Sequence, residues 1–150
     1  MRRDTVAELV IRQPILVRSD MPVNKVAALM RSRQLGCAFV VDEQSRPLGK
    51  FTQRQLMKIL VEDPSKLQGP VENAMYRHAE WVRIDEPISK IVELMSNEQI
   101  RYLAVVDREG KVIGLTGQKG LIEYIVEHFP RQVKVERMKS LIAMDTKEGA

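Results

Sequence analysis

The chain has 150 residues, 44% hydrophobic and 29% charged but only 5% aromatic, which is room for one domain or two very small ones around an aliphatic core. No apolar run approaches the roughly 18 residues of a membrane span, and Met1-Arg2-Arg3-Asp4 leads into no signal-peptide stretch, so a cytoplasmic protein with no membrane contact is expected. The single cysteine excludes an intrachain disulfide and a multi-cysteine zinc site, and the net charge of +4 divides into +4 over residues 1–63, −2 over 64–130 and +2 over 131–150.

In chain order, a short helical lead-in (Val6, Leu9, Val10) precedes an extended stretch at Ile15-Leu16-Val17. Asp20 stands where a helix N-cap belongs, with Pro22 in the first turn. Val23, Val26, Ala27 and Met30 then follow at i, i+3, i+4 and i+7, an amphipathic helix. Two β-rich runs, Ala38–Val41 and Pro47–Phe51, lead to a second helix over about Gln53–Val61. Glu62 to Lys66 and Gly69-Pro70 form a polar, breaker-containing joint.

After that joint the sequence is written again. Shifted by about 65 residues, Val17-Arg18-Ser19-Asp20-Met21-Pro22-Val23 falls on Val82-Arg83-Ile84-Asp85-Glu86-Pro87-Ile88. Leu29-Met30 falls on Leu94-Met95, Val40-Val41-Asp42 on Val105-Val106-Asp107, and Gly49 on Gly114. The register runs without a gap from Val6/Val71 to Leu60/Ile125, with about three pairs in ten identical. Each copy predicts a β-α-β-β-α unit in an α/β (α+β) fold, over residues 5–63 and 70–130, with a tail over 131–150. One such unit alone is marginal by surface-to-volume scaling. The economical solution packs the two face to face about a pseudo-two-fold axis, with a ligand groove between them.

The Asp-x-Pro helix start, the Leu-Met helix end, the Val-Val-Asp strand and the junctions Gly49-Lys50-Phe51-Thr52 and Gly114-Leu115-Thr116-Gly117 together resemble the tandem CBS domain pair, or Bateman module. The resemblance covers nearly all of residues 5–130. It implies a non-catalytic regulatory module, a homodimer, a protein partner, and an adenine nucleotide (AMP, ADP or ATP) or related adenosyl ligand in the cleft, with no cofactor required. The family's signature at the strand-to-helix junction is Gly, two apolar residues, Ser or Thr, two variable residues, then Asp. The hydroxyl and free helix N–H groups face a phosphate and the Asp accepts the ribose hydroxyls.

Both copies depart from that signature. The first keeps Thr52 but has Gln55 at the Asp position, where an amide accepts without the strength of a carboxylate. The second has Gly117 and Gly120 at the two positions, and Thr116 is then expected to cap one residue early. Arg54 and Lys119 precede the Asp position, placed either to reach a phosphate or to stand solvated. Thr52 serves equally as a plain cap. The resemblance assigns adenine-facing positions to Ile15, Leu16, Cys37 and Ala38 in the first copy and Trp81, Tyr102 and Leu103 in the second. Trp81 is by itself read more readily as core than as a base-stacking residue. The first copy, more basic and retaining Thr52, is the better site.

Cys37 has no local His, Lys or Asp that would activate it. His78 and His128 have no second ligand at i+3 or i+4, so no metal site is expected. No Gly-rich phosphate loop or activated nucleophile set appears. The basic residues are not interleaved with aromatics, so nucleic acid is not an expected partner. Two readings stay open: a ligand sensor, or a dimerisation and docking module whose nucleotide sites have decayed. The tail is apolar at positions between Val133 and Met144; its first half reads as a docking segment and its polar finish, Asp145 to Ala150, as a loose end.

Overall fold

The computed structural model describes residues 4–98 and 100–128. The tail, and its expected docking role, lie outside the described residues. The first half holds β1 (Leu16–Arg18), α1 (Val23–Arg33), β2 (Cys37–Val41), β3 (Pro47–Thr52) and α2 (Gln53–Glu62). The second holds β4 (Trp81–Arg83), α3 (Ile88–Glu98), β5 (Tyr102–Val106), β6 (Val112–Gly117) and α4 (Gln118–His128). Each half builds one three-stranded sheet, with its first and second strands parallel and its second and third antiparallel. The duplication extends to irregularities: both hairpins shift register at equivalent points, Val40/Val41 and Val105/Val106.

Strand parity sorts the side chains into layers. Ala38 and Val40 of β2 turn to a helix-side core with Val17, Val23, Val26, Met30 and Phe51. Leu103 and Val105 of β5 do the same with Val82, Ile91 and Met95. The alternate residues Cys37, Phe39 and Val41 meet Ala104, Val106, Val112 and Leu115 in a third cluster between the two sheets. The amphipathic spacing of the first helices thus faces each half's own core, while the sheets' other faces bury one another.

Two arrangements differ from the sequence expectation. The lead-ins are single 3-10 turns, Val6–Glu8 and Val71–Asn73, and each packs into the other half's core: Val6 and Leu9 with Val82 and Leu103, Val71 with Val17 and Phe51. Bridges Arg12–Leu115 and Lys50–Tyr76 add each lead-in to the edge of the other sheet. Asp20 and Asp85 also do not cap the helices. Pro22 is the N-cap of α1, and the free N–H of Val23 donates to the Gly69 carbonyl at 3.0 Å. Ile88 likewise donates to Asp4 at 3.1 Å. The exchanged segments supply the acceptors, which leaves Asp85 to pair with Arg83 at 2.6 Å.

Candidate functional site

The strand-to-helix junction of the first half gathers most of the expected residues. Thr52 ends β3 with extended backbone and caps α2. Its side chain accepts from the Gln55 N–H, and the Gln55 side-chain oxygen accepts from the Thr52 N–H at 2.8 Å, a reciprocal capping box. Gln55 is therefore buried, 6% exposed, with its carbonyl oxygen engaged by the cap. It also walls a cavity of about 240 Å³ between α2 and the linker, with Lys58, Ile59, Ala74, Met75 and Tyr76 among the other lining residues. That is smaller than the roughly 300–1,000 Å³ usual for a ligand pocket.

Register places the remaining expected residues on one of two faces. Cys37 pairs with Thr52, Leu16 with Phe39, Trp81 with Ala104 and Tyr102 with Gly117. Leu16, Cys37, Thr52, Trp81, Tyr102 and Gly117 thus all lie on the face between the sheets. The Tyr102 hydroxyl reaches across the halves into the space beside Gly36 and Gln53, 2.8 Å from where a Cβ on Gly36 would lie. Ile15, Ala38 and Leu103 instead turn into the two helix-side cores and have essentially no exposed surface, and Cys37, although on the inter-sheet face, has none either. Trp81 is 46% exposed, not core, at the open edge of its sheet. Arg54 and Lys119 are exposed in the first turns of α2 and α4.

The second junction is built differently. A Cβ on Gly117 would run into the Arg101 carbonyl, so no threonine fits at the place equivalent to Thr52. Thr116 does not supply the cap one residue early, because its parity turns it beside Leu103 and its buried hydroxyl has no hydrogen-bond partner. Among the described residues no group of three or more His, Cys, Asp or Glu side chains is placed to hold a metal ion.

Sequence reading missed the charged pair at the first junction. Lys50 Nζ donates to Glu80 Oε2 at 2.7 Å, with side chains only 16% and 17% exposed. Burial pushes the Glu80 carboxyl up, but the Lys50 hydrogen bond and charge outweigh it and hold the group below the usual glutamate range. Burial drives the neighbouring Cys37 thiol up to about 12, with Lys50 pulling it down and Glu80 pushing it up. Such a thiol is inert near neutral pH. A usable signal did exist: the repeat sets Lys50 against Leu115 and Glu80 against Ile15, charge against hydrocarbon.

Two such repeated β-α-β-β-α units, with their sheets' inner faces buried against one another, define the class of fold. The family model described as CBS domain matches residues 6–62 and again 71–127. The chain belongs to the CBS domain family and carries a tandem pair. A 17.7 kDa protein of Acidianus ambivalens is 23% identical over 81% of this chain and 73% of its own length. The inosine-5′-monophosphate dehydrogenase of Aquifex aeolicus is 30% identical over 75% of this chain, but the match covers only 23% of that enzyme. Among solved structures, the CBS domain pair of protein MJ0100, in complex with 5′-methylthioadenosine and S-adenosyl-L-methionine, superposes with a TM-score of 0.71 at 22% identity, covering 81% of this chain and 95% of that one. The CBS domain protein PAE2072 from Pyrobaculum aerophilum, complexed with AMP, gives 0.70 at 20% identity over 89% and 97%. No helix among the described residues is long and apolar enough to cross a membrane.

Proposed function

We propose that the protein is a regulatory module that binds an adenosine-containing ligand in the inter-repeat cleft, at the end formed by the first repeat. The observation that carries this reading is the convergence of Thr52 and Tyr102, with the buried Cys37 behind them, on the inter-sheet face at the N-terminus of α2, where the positive end of the helix dipole favours a polar, electron-rich ligand group. Fold neighbours solved with AMP and with adenosyl compounds support it. The ligand acts as an effector, not as the cofactor of a reaction. The signal passes through a homodimer, which the apolar stripes Met57, Leu60 and Val61 on α2 and Ile122 and Val126 on α4, all exposed, support.

A thermal-shift screen of AMP, ADP, ATP, S-adenosylmethionine and cyclic dinucleotides tests the reading, since a ligand of the native state raises its melting temperature. We expect at least one adenosyl compound to raise it. Thr52→Ala should weaken that ligand, and Arg54→Ala should weaken it only where the ligand carries a phosphate. The absence of any shift at millimolar concentration rejects ligand sensing. It would favour the second reading, a docking module with decayed sites, for which the occupied Gln55 oxygen and the glycines 117 and 120 already speak.

A further inference from the structure

Lys50 lies in β3 of the first sheet, and Glu80 stands immediately before β4 of the second. Lys50 is fixed in β3, its N–H donating to the Tyr76 carbonyl and its carbonyl accepting from Tyr76. The Glu80 carbonyl accepts from the Ala104 N–H of β5 at 3.2 Å. The pair thus crosses the seam, whereas Arg18–Glu43 stays within the first repeat and Arg83–Asp85 within the second. Lys50 opposes Phe39 as Thr52 opposes Cys37, so both side chains leave β3 on the cleft face, about 7 Å apart along the strand. The fold does not require charge here. The equivalent positions in the other half are Leu115 and Ile15, each 2% exposed.

We propose that the Lys50–Glu80 pair is the charge filter of the first-repeat site, admitting adenosyl ligands whose 5′ substituent is neutral or carries positive charge at least equal to its negative charge and disfavouring a phosphate. The inference rests on the adenosine reading above. A phosphate that approaches Lys50 meets the Glu80 carboxylate 2.7 Å away. It must either share the lysine against that repulsion or displace a carboxylate that then stays buried without a partner, and both outcomes are costly. A neutral substituent leaves the pair intact. A tail bearing an ammonium and a carboxylate can exchange partners with it, so that these charges remain paired, and a sulfonium in the same tail is not repelled by the Glu80 carboxylate. Arg54 stands in solvent, where screening weakens what it adds for a phosphate.

The test is calorimetric titration of the full chain with 5′-methylthioadenosine, S-adenosylmethionine and AMP, repeated on Glu80→Gln and on the double variant Lys50→Leu with Glu80→Ile. The double variant copies the other half and is expected to fold, because replacing a buried pair by hydrocarbon of similar size is usually tolerated. The wild-type chain should bind one of the first two compounds about tenfold more tightly than AMP. Both variants should move the AMP-to-S-adenosylmethionine affinity ratio about tenfold toward AMP. AMP binding as tight as the others in the wild type, or a ratio unmoved in the variants, overturns the filter while leaving the adenosine site standing. If Glu80→Gln does not fold, the ratio in the double variant decides. Failure of all three compounds to bind the wild type rejects the adenosine reading and the filter with it.

Discussion

The two halves repeat one another in strand order, register shifts and exchanged lead-ins, yet at the seam they carry opposite chemistry. The first junction has a hydroxyl cap, a buried amide and an ion pair at Thr52, Gln55 and Lys50–Glu80. The second has Gly117, Gly120 and Leu115 in the equivalent places, and the residue aligned with Glu80, Ile15, turns into the helix-side core of the first half. Packing demands shape at these positions and not charge, because the hydrocarbon version folds equally well in the same molecule. What one half keeps polar beyond that demand is therefore where function is sought.

The largest expected break in the comparison is in the layer between the sheets, where Phe39 of one half stands in the place of Ala104 in the other and both are fully buried. Phe39→Ala makes the positions alike and should cost about 3–5 kcal/mol through the cavity it leaves, read as a shifted denaturation midpoint. A loss below about 1 kcal/mol would mean that the layer closes up without it.

Next in size is the ion pair. Lys50→Ala should destabilise by about 1.5–3 kcal/mol, since it strands a largely buried carboxylate. Glu80 has a lowered folded pKa. The stability it contributes is therefore complete above the unfolded glutamate value of about 4.3 and is lost as pH falls through the folded value. Wild-type stability should decline over that acid range more steeply than that of the Lys50→Leu, Glu80→Ile chain. Parallel unfolding curves for the two would show that the pair contributes no pH-dependent stability.

The smallest expected effect concerns the hairpins. Asp42 and Asp107 each accept from two backbone N–H groups of their loops, at 2.8 and 2.9 Å and at 2.9 and 3.0 Å. The residue at positive φ is Ser45 in the first loop (62°) and Gly110 in the second (86°). Gly110→Ala should cost about 1 kcal/mol because it forces a side chain into the left-handed region. Ser45→Ala, where that strain is already present, should change melting by much less. Equal losses at the two sites would contradict this account.

The sequence carried the periodic and local features: the duplication, the amphipathic helices with Val23, Val26 and Met30 buried, the paired strands and the Thr52 cap. Its Thr-x-x-Gln spacing even held the capping box that withdraws Gln55 from ribose duty. Long-range geometry was not legible. The carbonyls of Gly69 and Asp4 cap α1 and α3 from segments distant in sequence, so no motif announces them and Asp20 looked like the better cap. Lys50 and Glu80 are 30 residues apart, and only the packing of the second repeat's entry segment against β3, through the Lys50–Tyr76 bridge, brings them together. Residue type alone favours core for Trp81, whereas its position on an edge strand leaves nearly half of it in solvent.

The exchange of lead-ins also sets an order of events during synthesis. The first core can be completed once Val71 has been made, and Tyr76 soon afterwards pairs with β3. Val6 and Leu9, although made earlier, gain their first partners only with Val82 to Glu86 and their full surroundings only with Leu103, and Arg12 must wait for Leu115. The opening segment of the chain thus stays open for about a hundred residues of elongation, several seconds at ribosomal rates, and is the last stitch in the fold rather than its first.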